Sequence, residues 1–133
     1  MHPTLLSRPF HHEGWVYEEK IDGYRMVASK SDGVVRLSSR QGKDFTRRFP
    51  ELVKTLDALK AKSFTLDGEV AVFDKSLVSR FEWLRRRPDD EPATLPVYIA
   101  FDVLELSGRD LRPKPLRDRR RVSRHSLPGA TLL

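Results

Sequence analysis

Apolar and polar positions alternate in short runs along the first third of the chain, the period of strands rather than helices. Residues 15–20 (Trp-Val-Tyr-Glu-Glu-Lys) read as one strand. Ile21-Asp22-Gly23 punctuates it, and residues 24–30 form a second extended run. Ser31-Asp32-Gly33 predicts a hairpin turn into residues 34–39, because Asp-Gly supplies the positive φ values that tight hairpins require. The period then changes. Leu52, Val53, Leu56 and Leu59 make one helical stripe behind Pro50, so residues 50–60 are expected to be a helix. Residues 64–66 and 70–73 read as two strand pieces interrupted by an acidic turn, Asp67-Gly68-Glu69, and a short helix is expected over residues 79–86. Residues 88–96 hold three prolines and three acids, the composition of a surface loop or lid. Val97, Ile99, Phe101 and Val103 alternate with Tyr98, Ala100, Asp102 and Leu104, a long strand apolar on both faces and therefore expected at the sheet centre. Hairpin-joined strands without regular strand-helix alternation predict an α+β fold of antiparallel sheets with flanking helices.

With 133 residues, 38% of them hydrophobic and 33% charged, the chain has room for one domain with its own core and is too apolar for a disordered segment. The absence of Cys excludes disulfide scaffolds, Cys-ligated zinc and thiol nucleophiles. No apolar run approaches the roughly 20 residues needed to cross a bilayer, and Met1-His2-Pro3 begins no signal peptide, so a cytoplasmic location without membrane contact is expected. The net charge of +6 favours a polyanionic partner. Arginines crowd residues 85–87 and 117–124, where they serve either DNA phosphates or a solvated face. Residues 122–133 carry no clear period and are expected to fray.

The common chemical motifs are missing: no Walker-type phosphate loop, no G-x-S-x-G elbow, no His pair at metal-ligand spacing. His11 and His12 read as loop histidines, and Trp15 and Trp83 as packing residues. The unusual stretch runs from Glu18 to Arg25. A period of two puts Glu18 and Lys20 on one face, and Gly23 lets the chain turn so that Arg25 returns toward the same space. A lysine among charges at a strand end is either a covalent nucleophile, active once deprotonated, or one partner of a surface salt bridge.

Lys20-Ile21-Asp22-Gly23-Tyr24-Arg25 resembles the K-x-D-G-x-R motif of the covalent nucleotidyltransferases, the superfamily of ATP-dependent DNA ligases, RNA ligases and capping enzymes. Ser39-Arg40-Gln41-Gly42 resembles the S-R-x-G that follows it, Asp67-Gly68-Glu69 the D-G-E motif, and Phe101-Asp102-Val103-Leu104 the F-D-x-L motif, in the family's order. The texture between them is most similar to bacterial ATP-dependent DNA ligases of the small or end-joining type.

This resemblance, over residues 3–121, implies an ATP-grasp-like adenylation domain with its nucleotide cleft between sheets. It implies that Lys20 takes AMP from ATP and that the AMP passes to the 5′-phosphate of nicked double-stranded DNA, sealed in repair or recombination. It further implies Glu18 at the adenine amino group, by its side chain or through neighbouring backbone, Arg25 and Arg40 on the ribose and phosphate side, Glu69 at the ribose hydroxyl or a divalent metal, expected to be Mg²⁺, and Phe101 stacked on adenine. Asp22 and Gly23 are expected to shape the turn.

The family's later E-G-x-x-x-K motif, its lysine-bearing strand and its OB-fold domain have no counterpart after residue 104. Residues 1–121 are accordingly expected to be a partial adenylation domain, incomplete at the C-terminus, with residues 122–133 a disordered or non-family tail. A separately encoded remainder is a candidate partner. The rival readings are a catalytically incomplete nucleotide- or DNA-binding remnant, and an RNA ligase or capping-type enzyme.

Overall fold

The computed structural model describes residues 6–15, 17–85 and 94–126. Strands β1 (Tyr24–Ser31) and β2 (Val34–Ser39) are joined where expected, with Asp32 at φ 51° and Gly33 at φ 74°, the conformation that matches the twist of a two-residue hairpin. Helix α1 (Pro50–Asp57) starts on its proline and stops three residues short of the predicted end. The Lys30 ammonium lies at its C-terminus, 2.5 Å from the Asp57 carbonyl oxygen, 3.3 Å from that of Leu59 and 3.1 Å from the Asp57 carboxylate. A cation there satisfies carbonyls that a further turn would have used.

Strand β3 (Phe64–Ala71) is continuous, which corrects the two pieces and the acidic turn expected from Asp67-Gly68-Glu69. Gly68 has no left-handed φ and makes no turn. A Cβ at this position would lie 2.5 Å from the Ile99 carbonyl oxygen and 2.7 Å from the Tyr98 ring, so its glycine is needed for close approach. Tyr98 fills the gap, its buried hydroxyl donating toward the carbonyls of Met26 and Leu66, each 3.0 Å away. Burial pushes the ionisation of that hydroxyl upward.

Helix α2 (Phe81–Arg85) falls within the predicted short helix, strand β4 (Val97–Leu106) extends the predicted long strand, and β5 (Arg109–Asp110) completes the sheet in the order β2-β1-β3-β4-β5, every pairing antiparallel. The described residues thus form an α+β unit on one five-stranded sheet, where a cleft between sheets was expected. β3 is its centre. β4 lies one place further out and is apolar on both faces because helix α3 (Leu116–Ser126) packs on it. Met26, Leu37, Phe64, Leu66, Val70 and Val103 are fully buried in the core.

Three further expectations change. Of the segment 15–20, the described residues 15 and 17–20 form no strand ladder, and β1 pairs with β2 and β3 instead. Trp15 is 62% exposed and stacks edge-on against Phe10 at 5.0 Å instead of entering the core, whereas Trp83 does pack against it. Helix α3 runs past residue 121 to Ser126, so the first residues of the expected frayed tail are helical, with Val122 packed on the core. Most of the predicted 88–96 loop, like residues 127–133, lies outside the described residues. No described helix is long and apolar enough to cross a membrane.

Candidate functional site

The sheet face opposite the core carries a polar row. Arg25 on β1 stands opposite Glu69 on β3, and Asp67 shares the face two residues along. Pairing of β1 with β2 stops at Met26 with Ser39, and Arg40 follows in a turn closed by the Gly42 N–H on the Ser39 carbonyl oxygen at 2.8 Å. Asp67 holds Arg25 through a two-pronged ion pair, Nε at 3.0 Å and a terminal nitrogen at 2.6 Å, and pushes the guanidinium's ionisation upward. The same guanidinium lies 5.6 Å from the centroid of the Phe101 ring, within cation-π range.

The expected nucleophile enters beside this row. At Gly23 the chain is pressed so closely on β3 that a Cβ would sit 2.2 Å from the Val70 carbonyl oxygen. Gly23 has no positive φ, yet the chain bends at it as expected, and the same residue makes this close contact. Its N–H donates to the Glu69 carboxylate, and the Asp22 N–H donates to Ser79 Oγ at 2.8 Å. Lys20 lies three residues before Gly23, 86% exposed and 3.6 Å from Asp22. A cavity of about 620 Å³ opens beside Asp22, walled also by Ser79, Arg80, Phe81 and Trp83; Lys20, Glu69 and Phe101 do not line it.

Glu69 is half-buried, and desolvation raises its pKa, opposed by the Gly23 N–H and by the charges of Arg25 and Lys20. The folded protein therefore holds this proton to higher pH than the unfolded chain does. Stability is free of the burial penalty below the ordinary carboxylate range and falls as pH rises through the folded value. Glu69→Gln removes the penalty. In urea unfolding the variant is expected to match the wild type near about pH 3 and to be the more stable protein near about pH 7.

Among the described residues no three His, Asp or Glu side chains gather into a metal cage. Mg²⁺ commonly takes only one or two carboxylates, with phosphate oxygens and water completing its shell, so a single carboxylate such as Glu69 is compatible with it.

Two further groups complete the site, and both come from the arginine run that the sequence left between DNA contact and solvated surface. Arg119 on α3 forms a buried two-pronged pair with Asp102, at 2.7 and 2.5 Å, so the F-D-x-L aspartate anchors a helix. Arg120 pairs with Glu18 and donates to the Phe101 carbonyl from Nε and a terminal nitrogen, both at 3.3 Å. Glu18, Lys20, Arg25, Glu69 and Phe101 thus lie around one end of the sheet, tied together by Asp67, Gly23 and Arg120. Asp67 was open to discovery from its period-two relation to Glu69; the α3 pairings carry no local signal.

A family model described as an ATP-dependent DNA ligase domain matches residues 4–129. The multifunctional non-homologous end joining protein LigD of Pseudomonas aeruginosa is 38% identical over 117 residues, 88% of this chain and 14% of that protein. The ligase domain of Mycobacterium tuberculosis LigD superposes with a TM-score of 0.74 at 35% identity, covering 87% of this chain and 38% of that one. A mycobacterial DNA ligase D complexed with ATP and MES gives 0.73 at 34% identity, covering 86% and 38%. This chain therefore spans about one seventh of the P. aeruginosa protein and under half of either ligase structure. With four ordered motifs and a match over nearly its whole length, the chain belongs to the ATP-dependent DNA ligase domain family.

Proposed function

We propose that this chain is the amino-terminal part of a ligase adenylation domain, with residues 1–121 as its family-like body and α3 carrying the unit on to Ser126. Lys20 is the residue that accepts AMP. The carrying observation is the contact of Gly23 with β3, which sets the Lys20 segment against Glu69 at the same sheet end as Arg25 and Phe101. In the proposed step the Lys20 amine, having lost its proton, forms a bond to the α-phosphorus of ATP as the bond to the β-phosphate oxygen breaks and pyrophosphate leaves. The AMP then passes to the 5′-phosphate of nicked double-stranded DNA, and the 3′-hydroxyl displaces it.

Phe101 offers its ring to adenine and Glu18 an acceptor for the amino group. Arg25 and Arg40 face the ribose and phosphates with fixed guanidinium forks. Glu69 takes the ribose hydroxyl or holds a divalent metal, Mg²⁺ by its donor type. The metal supplies neutralisation of phosphate charge when bound. We place the protein in the cytoplasm.

A second reading, nucleotide binding without turnover, is favoured by the exposure of Lys20, whose described ion-pair partner is the anion Asp22. Intact-mass measurement after incubation with ATP and Mg²⁺ separates the two. The expected result is a gain of one AMP that is absent in Lys20→Ala. A folded protein that binds ATP and gains no mass would replace the first reading by the second.

A further inference from the structure

Glu18 sits in a segment with no ladder, so strand pairing does not determine where its carboxylate points. Arg120 does. Its side chain, 13% exposed, pairs with Glu18 and also donates twice to the main-chain carbonyl of Phe101. One guanidinium therefore holds two groups in fixed relation: the carboxylate proposed to meet the edge of the base, and the backbone of the residue proposed to meet its face. The adjacent Arg119 makes this possible, because its buried pair with Asp102 fixes α3 against β4. An arginine suits the task better than a lysine, since its planar fork can donate in two directions at once.

We propose that Arg120 is a positioning residue that sets base selectivity at the nucleotide site by holding Glu18 as an acceptor. The inference rests on the adenylation reading and deepens it. A fixed carboxylate accepts a hydrogen bond from the exocyclic amino group of adenine. Guanine presents a carbonyl oxygen at the equivalent edge, which a carboxylate repels. A site built around such a hydrogen bond discriminates strongly against the analogue that lacks the donor. Released from Arg120, Glu18 turns to water and the discrimination weakens.

The test compares ATP with GTP by equilibrium binding to the full chain, with adduct formation measured in parallel. For Arg120→Ala the expected result is a loss of about tenfold or more in ATP affinity relative to GTP, the scale of one hydrogen bond to a charged group. The rate of adduct formation at saturating ATP should change less than the apparent KM. Arg120→Lys should restore part of the preference. In a Glu18→Ala background, Arg120→Ala should change the ATP preference no further, which a merely structural role for Arg120 would not produce. Unchanged ATP preference in a folded Arg120→Ala protein overturns this inference while leaving the adenylation reading in place. A wild-type chain that prefers neither nucleotide overturns it too, and a wild-type chain that binds neither overturns both.

Discussion

Replacing Asp102 by alanine is expected to cost about 3–5 kcal/mol, a large share of the stability of a domain this size, because it leaves the Arg119 guanidinium buried without its counter-charge. Each side chain of the pair is only 9% exposed. Asp102 also accepts the Val103 N–H at 2.8 Å, and Arg119 donates to the Lys114 carbonyl at 2.5 Å, so the pair ties β4, the segment before α3 and α3 itself. Urea unfolding followed by far-UV circular dichroism gives the number. The double replacement Asp102→Leu with Arg119→Met should recover much of the loss, since an apolar pair of similar volume avoids the stranded charge. A single variant as stable as the wild type would show that the pair is solvated.

Gly23→Ala is expected to separate the site from the fold. The added methyl would meet a backbone oxygen at 2.2 Å and the Glu69 Cγ at 3.0 Å, so the segment ahead of β1 must move off β3. Overpacking of this kind costs about 1–3 kcal/mol, less than the loss at Asp102. Its effect on chemistry is larger, because a displacement of about 1 Å at a reacting group can cost roughly a hundredfold in rate. The yield of AMP adduct against time should therefore fall by about that factor in a protein that still unfolds cooperatively. Wild-type adduct kinetics in this variant would mean that the Lys20 segment finds its place without the contact.

The elements legible in the sequence are those set by local rules. Asp32-Gly33 specifies its hairpin by dihedral angle alone, Pro50 opens α1, and the alternation of Val97 to Val103 marks β4. Three of the four motifs supply Lys20, Arg25, Glu69 and Phe101, which lie with Glu18 toward one end of the sheet, while Arg40 of the fourth lies in the turn after β2. What could not be read depends on partners distant in the chain. Residues 15–20 have the pattern of a strand, but no local pattern reports that both edges of β1 are taken. Glycine at 23 and at 68 signals a turn in the sequence; the chain does bend at 23, where it presses on β3, whereas 68 serves close packing between strands. The arginines of α3 look alike along the chain. Only the fold assigns one to Asp102, seventeen residues away, and the next to Glu18.

The tyrosine lying across Gly68 has a consequence for how the sheet can misassemble. Because side chains alternate with a period of two, sliding β4 along β3 by two residues keeps every apolar group on its own face, and hydrophobic patterning alone does not forbid it. The ring of Tyr98 needs a gap, and β3 offers one at its single glycine. Its hydroxyl then reaches carbonyls on both β1 and β3. A slipped pairing would drive the ring into a side chain and strand the hydroxyl, so Gly68 and Tyr98 act as lock and key for a single alignment of three strands. The charged row on the opposite face inherits its alignment from that fit.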